Sequence, residues 1–491
     1  MAVATFPPLV FASETDKDVL RRARQRGALM RLASGIYSSE TDKTPEDVVR
    51  LRLWQVVGHE MPDAVIVDRS ARDSAGASGT LYVVADRKRP LRLPGVRVVP
   101  RAGVGHLLGD TSLPGGMWLA STARSLLENL APTRITAQGT SRTLTRAEVE
   151  AWVNELCAVR GENYLNRLRD EARELASQLK SEKELIALDA LISAALTTRD
   201  DVPLQSPALQ ARASGEPFDT DRIRAFSRLA EYLETLPPDV VPNWPEDTTR
   251  RRLLPLYEAY FSNYIEGTEF TLDEAAEILL EHFVPAQRPQ DAHDILGTYE
   301  LTSSPEEMRK RPRDAEELLD QLQTRHAVIL GGRPEMGPGR FKVQPNRAGS
   351  TVFVSPDKVV GTLRRGFQVG ESLISPFARA VYVMFLVSEV HPFADGNGRV
   401  ARIMMNSELE AAGEVRLIVP TVYRLNYLAG LKAATHTQND AALVATLSFA
   451  RRWTARVDFT SRQSAESDLE RTNALRDAKD AEDAGVRLTL P

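Results

Sequence analysis

The sequence predicts a multidomain, mainly α-helical chain with a small mixed α/β region near its N-terminus. Three observations lead there. The length is 491 residues, and an average domain takes roughly 150. Apolar residues recur at helical spacing over 144–196, 220–236, 247–332 and on to about residue 455. Short β-type runs at 64–67, 81–84 and 96–99 are gathered within 62–125, with Gly and Pro between them.

The elements follow in chain order. Residues 13–60 read as a small, mostly helical unit, with helix formers over Lys17–Gln25 and Gly27 breaking the pattern. The stretch 28–37 ends in a glycine turn and a short β-like run. Residues 144–196 are charged, Ala/Leu-rich and helical in period. Residues 202–217 hold three prolines and predict a linker. A helix over 220–236 is followed by Pro237, Pro238, Pro242 and Pro245, which interrupt the chain. Five glycines and three prolines make 331–350 a loop, and 350–354 is again a short β-type run. The last segment, 461–491, is charged and poor in bulky apolar groups, which predicts a helical or frayed tail. The sequence divides accordingly into 1–60, 61–200 (mixed α/β, then helical), 201–249 (linker and helix), 250–456 and 457–491.

Composition excludes several classes. Hydrophobic residues at 42% and charged residues at 26% exclude wholesale disorder. With 62 basic and 67 acidic residues, a balance of −5, the chain as a whole is no polyanion binder. A local patch still qualifies: Lys17, Arg21, Arg22, Arg24, Arg26 and Arg31 face one acid, Asp18. The one cysteine, Cys157, excludes a disulfide framework and fits a reducing, cytoplasmic setting. The most apolar run, 380–387, has eight residues, whereas a membrane-spanning helix needs about 20. Residues 1–10 have no basic region followed by a long apolar core, so no secretory signal is expected.

The chemistry sits at 391–402, His-Pro-Phe-Ala-Asp-Gly-Asn-Gly-Arg-Val-Ala-Arg. Phe377, Ala380, Val381, Met384, Phe385 and Ser388 recur at helical spacing before it, and a second helix follows, closed by Gly413. Gly396, Asn397 and Gly398 form an unobstructed turn. A small-residue loop that opens a helix presents unpaired N–H groups, which suits phosphates. Arg399 and Arg402, three apart, share a helical face and can reach phosphate oxygens. Asp395 is a hard carboxylate suited to Mg²⁺ beside a nucleotide. His391 can take a proton from an attacking hydroxyl. A base, a metal ligand, an anion cradle and two cations are the parts of a phosphoryl or nucleotidyl transfer site.

This string resembles the Fic motif, His-Pro-Phe-x-Asp/Glu-Gly-Asn-Gly-Arg-x-x-Arg, at every defined position. The flanks are similar as well: Gly-Arg-Phe-Lys at 339–342 and Ser350, Thr351, Val352, Phe353 and Val354 resemble the approach to the target-docking β-hairpin, or flap. The resemblance implies a mainly α-helical Fic core with a β-hairpin flap over 250–456. It implies transfer of AMP from ATP to a Ser, Thr or Tyr hydroxyl of a target protein. In that reading His391 is the base and Asp395 holds Mg²⁺. Gly396, Asn397 and Gly398 cradle the phosphates, which Arg399 and Arg402 neutralise. Members that transfer other groups usually alter this motif or its context, so the intact Asp395 and Gly398 favour AMP transfer.

Upstream, Ser262-Asn-Tyr-Ile-Glu266-Gly267 resembles the inhibitory motif of Fic proteins, Ser/Thr-x-x-x-Glu-Gly/Asn. Ser262 and Glu266, four apart, share one helical face, and Gly267 can end that helix. The resemblance implies that Glu266 pairs with Arg402 and leaves ATP in an unproductive pose. It also implies that the same glutamate could position water for removing AMP.

The N-terminal run 22–37 and the stretch 62–71 resemble the winged-helix start of AbiE-type antitoxin regulators. Such domains bind DNA through a basic helix, so a winged-helix-like unit over 1–60 and DNA as a partner are implied. Two alternatives stay open: a DNA-binding regulator with the Fic core as ligand sensor, and a Fic-type enzyme that removes AMP. A homo-oligomer is also left open. No P-loop and no His-Glu-x-x-His zinc site occur.

Overall fold

The computed structural model describes residues 6–74, 79–134, 141–245 and 249–491. The chain divides into two compact units, Met1–Gly215 and Glu216–Pro491.

The first unit opens with β1 (Leu9–Phe11), α1 (Lys17–Gln25), β2 (Met30–Ala33), β3 (Ile36–Ser38) and α2 (Pro45–Glu60). The Asp16 carboxylate caps α1 by accepting from the N–H groups of Asp18 and Val19. The strands form an antiparallel sheet in the order β1-β3-β2, with Gly35 at φ +79° turning β2 into β3. All six basic residues of 17–31 are exposed. Next come β4 (Val65–Ile66), α3 (Ser70–Asp73), β5 (Thr80–Val84), β6 (Leu91–Leu93), β7 (Val96–Arg101), β8 (Thr111–Leu113) and β9 (Met117–Leu119). They make a mixed six-stranded sheet, β6-β7-β5-β4-β9-β8, with β5 and β7 parallel and β4 and β9 parallel. Val48, Val56 and Val57 of α2 share one core with Ile66, Leu81, Val83 and Val98. The helices α4 (Thr122–Leu130), α5 (Arg146–Arg160), α6 (Glu162–Leu179), α7 (Glu182–Ala195) and α8 (Pro207–Ala213) enclose a separate core.

The expected mixed α/β region is therefore present, with strands the sequence did not announce. β6, β8 and β9 have three residues each, too few to show alternation. The stretch 202–217, expected as a linker, carries α8. The buried Glu150 carboxylate accepts from the N–H groups of Gln205 and Ser206, both at 2.6 Å. Pro207 then starts the helix, and Leu209 is fully buried.

The second unit runs α9 (Thr220–Glu234), α10 (Thr249–Ile265), α11 (Leu272–Glu281), α12 (Pro289–Ser303), α13 (Pro305–Met308) and α14 (Ala315–Ile329). The expected helix start at Asp247 lies outside the described residues. The hairpin β10 (Arg347–Ala348) and β11 (Thr351–Val352) follows, then α15 (Val359–Gly370), α16 (Pro376–Val390) and α17 (Asn397–Ala411). The unit ends with α18 (Arg424–His436), α19 (Asp440–Arg456), α20 (Arg462–Arg471) and α21 (Ala478–Asp483). Helix α16 is mostly apolar, is buried over nearly its whole surface and sits at the centre, against α17, α15 and α9. Helices α10, α11 and α12 belong to a second core.

That second core holds the tail, which takes the helical of the two expected forms. Ala465, Leu469 and Ala474 are fully buried with Trp453 and Tyr257, and Trp453 Nε1 donates to Thr472 Oγ1 at 3.2 Å. The tail is docked rather than frayed. Few apolar residues suffice when they are small and spaced to fit between aromatic rings. No helix among the described residues is long and apolar enough to cross a membrane.

Candidate active site

The loop between α16 and α17 holds the motif. Helix α16 stops because His391 takes left-handed backbone, φ +50°, a conformation disfavoured for any residue with a Cβ. Its Nδ1 lies 3.3 Å from the Ser388 carbonyl. A carbonyl only accepts, so Nδ1 carries the proton and Nε2 keeps its lone pair. The imidazole stacks on Phe353 of the hairpin, ring centroids 3.8 Å apart and 4° from parallel. Burial pushes its pKa down to about 4, and the Lys342 ammonium contributes in the same direction. The ring is neutral at physiological pH.

Three side chains pin the loop. Asn397 Oδ1 accepts from the Phe393 N–H at 2.8 Å, and its Nδ2 donates to the Phe393 carbonyl at 3.0 Å. Asn346 Nδ2 donates to that carbonyl too, at 2.9 Å. His326 of α14 receives the Gly339 N–H on Nδ1 at 2.9 Å, so Nε2 carries the proton and donates to the Asp395 carbonyl at 3.1 Å. Its ring stacks on Phe393 at 3.8 Å, and burial pushes its pKa down to about 4. The Asn397 side chain is thus used inside the loop, and only its backbone N–H is available to a ligand.

Gly396, at φ +74°, opens α17 with no side-chain cap, so the first-turn N–H groups suit an anion. A carboxylate already lies there: a Cβ on Gly398 would stand 2.1 Å from Glu266 Oε1. Helix α10 ends at Ile265, and Gly267 at φ +91° turns the chain so that Glu266 reaches across. Glu266 Oε1 accepts from Arg402 Nη2 at 2.6 Å. Arg402 is buried, and it also donates to Ser262 Oγ at 3.0 Å and to the Ser262 carbonyl at 2.9 Å.

Arg399 is buried as well. Its Nη1 is 2.6 Å from Asp294 Oδ2 and 3.4 Å from Asn263 Oδ1, and its Nη2 lies 3.5 Å from Asp395 Oδ2. Asp294 Oδ2 accepts also from Arg333 Nε at 2.9 Å. The Asp395 side chain is 44% exposed. Among the described residues no group of three or more His, Cys, Asp or Glu could hold a metal. One exposed hard carboxylate fits Mg²⁺, which takes its other ligands from phosphates and water rather than from a protein cage.

The hairpin β10–β11 pairs Arg347 with Val352 and Ala348 with Thr351. Ser350 and Val352 are exposed, Thr351 and Val354 are buried, and Phe353 lies on His391. Lys342 fixes the hairpin's base, its Nζ donating to Asn346 Oδ1 at 2.6 Å.

The residues singled out from the sequence therefore meet: 262–267, 350–354 and 391–402 converge on one loop. Asp294, Asn263, His326 and Lys342 were not foreseen. His326 left a trace, a polar residue in the apolar stripe of Leu319, Leu322 and Ile329. Asp294 left none, because its partner Arg399 is 105 residues away.

This is a mainly helical core with a motif loop under a β-hairpin. Residues 314–409 match the model of the Fic/DOC family, so the second unit carries a Fic/DOC domain. Protein adenylyltransferase fic-1 of Caenorhabditis elegans is 27% identical over 242 residues, 47% of this chain and 46% of that protein. Protein adenylyltransferase Fic of Nematostella vectensis is 24% identical over 264 residues, 52% of this chain and 60% of that protein. The chain thus spans about half the length of these curated relatives. A solved structure of C. elegans Fic-1, residues 134–508 of that protein, covers 67% of this chain and 89% of its own, at 18% identity and a TM-score of 0.37.

Proposed function

We propose that the second unit transfers AMP from ATP to a Ser, Thr or Tyr hydroxyl of a protein target, with Mg²⁺ as cofactor, and that Glu266 holds it in check. The observation that carries this is the neutral His391, its Nε2 unprotonated, beside an uncapped helix N-terminus. The hydroxyl oxygen forms a bond to the α-phosphorus as its proton passes to Nε2. The bond from that phosphorus to the bridging oxygen breaks, and pyrophosphate leaves. The first-turn N–H groups of α17 receive the phosphates, and Arg402 neutralises them once it is freed. Asp395 is the residue that would hold Mg²⁺, which would draw charge from the phosphates and orient the leaving group. Arg399, enclosed by Asp294, Asn263 and Asp395, shapes the pocket from behind.

Glu266 brakes this site in two ways. It pairs with Arg402, and its carboxylate rests over Gly398 where a phosphate would bind. Intact-protein mass spectrometry with Mg²⁺ and ATP tests the whole reading. AMP is expected to accumulate fastest on Glu266→Gly, much more slowly on wild type, and not at all on Glu266→Gly/His391→Ala. Addition of phosphate, or of nothing to any variant and to lysate proteins, would refute it.

Removal of AMP is the second reading. It is favoured by the Glu266 side chain, 29% exposed beside the same turn, which could orient water against an AMP-modified hydroxyl. The DNA-regulator reading is supported by the six exposed cations of 17–31 and predicts salt-dependent DNA binding that survives His391→Ala.

A further inference from the structure

Arg222 lies on α9, outside the stretch that matches the family. Its side chain is 15% exposed, and its fork is divided between two elements. Nη1 pairs with the buried Glu389 of α16, and Nη2 donates to the Val352 carbonyl of β11 at 2.8 Å. The second Glu389 oxygen accepts from Thr435 Oγ1 of α18 at 2.6 Å.

The register explains why Val352 offers that carbonyl. Gly349 and Ser350 are the hairpin's two-residue loop, so Ala348 and Thr351 are the hydrogen-bonded pair. Arg347 and Val352 then form the non-bonded pair, whose backbone groups point away from the partner strand. The Phe353 N–H, 3.2 Å from the Asn346 carbonyl, continues that alternation. Arg222 therefore closes the outer edge of β11 at Val352. The next residue, Phe353, is the one stacked on His391, which follows Glu389 by two positions. One guanidinium thus joins the strand that carries the stacking ring to the helix that carries the base. Thr351 Oγ1, 2.7 Å from His436 Nε2, adds a second tie from α18.

We propose that Arg222 is a positioning residue: by locking β11 to α16 through Val352 and Glu389, it holds the Phe353 ring against the His391 imidazole. Its effect on rate rests on the AMP-transfer reading, whereas its effect on geometry does not.

The test uses the full chain labelled at the histidine ring carbons. With seven histidines, the His391 signal is assigned by its loss in His391→Gln. A ring stacked at 3.8 Å shifts that signal upfield. Arg222→Ala and Arg222→Lys are expected to move it toward the position of an unstacked histidine. Arg224→Ala, which breaks an exposed pair with Asp221 on the same helix, should leave it in place. Arg222→Lys guards against misfolding, because lysine keeps a charge beside Glu389 but lacks the fork needed to reach Val352 as well. In the Glu266→Gly background, the rate of self-AMPylation should fall about 10- to 100-fold in both Arg222 variants, with KM for ATP unchanged. An unmoved His391 signal in folded Arg222→Lys overturns the proposal, as does a rise in KM for ATP without loss of rate. If the signal moves but Glu266→Gly itself transfers no AMP, the positioning stands and the AMP-transfer reading fails.

Discussion

Replacing Glu266 by glycine should raise the rate of AMP transfer about 10- to 70-fold. The carboxylate gives Arg402 a charge-assisted hydrogen bond of 2.6 Å. Such bonds are worth about 1.5–3 kcal/mol. The Glu266 side chain is 29% exposed, so solvent trims the upper end to about 2.5 kcal/mol. At roughly 1.4 kcal/mol per factor of ten, freeing Arg402 and the turn at Gly398 yields the range given. Glu266→Gln keeps the size and one acceptor oxygen but drops the charge, so it should fall between wild type and Glu266→Gly. Removing the carboxylate also leaves the buried Arg402 charge with only the neutral partners Ser262 and Tyr427, so the faster variant should be the less stable one, with a lower Tm. Initial rates of AMP incorporation by intact mass, read beside thermal melts, test both statements. A Glu266→Gly rate equal to wild type would refute the reasoning. So would an increase that survives Glu266→Gly/His391→Ala.

Gly398→Ala should also disturb the brake, because the new Cβ would lie 2.1 Å from Glu266 Oε1. Its methyl fills the anion position too, so ATP affinity measured by titration calorimetry should fall while Glu266→Gly strengthens it. Asp294→Asn removes the charge shared by Arg399 and Arg333 and should cost about 3–5 kcal/mol of stability in urea unfolding. Stability should also decline in acid between pH 6.5 and about 4. Both His326 and His391 have folded pKa values lowered to about 4, so in that window the unfolded chain binds more protons and stability rises with pH. Urea unfolding at pH 5 and pH 7 checks the sign, and His326→Gln should flatten the slope. With His391 neutral throughout, the transfer rate of Glu266→Gly should stay level from pH 7 down to pH 5.5 instead of titrating near 6.5.

Much of the site could be read along the chain because its parts are local. The motif loop spans 12 residues, and its helix-loop-helix placement follows from apolar spacing and glycine positions. The Glu266 turn could be read for a similar reason: Ser262, Glu266 and Gly267 lie within a turn and a half of one helix end. The pairing of Glu266 with Arg402, 136 residues on, came from the resemblance and not from spacing. Short strands and the docked tail were missed, since three-residue strands carry no period and small apolar residues look like surface until a partner is known.

Sequence alone determined which chemical groups exist and their local order: a histidine at a helix end, a glycine turn, two arginines on one face, a glutamate before a helix break. Tertiary structure alone decided what each group faces. It enclosed Arg399 with Asp294, committed the Asn397 side chain to the loop, gave His326 the Asp395 carbonyl, and tied the hairpin to α16 through Arg222. The reason is physical. Periodicity and turn chemistry act over a few residues, whereas a buried charge or ring is held by whichever distant side chain the packing of helices brings within about 3 Å.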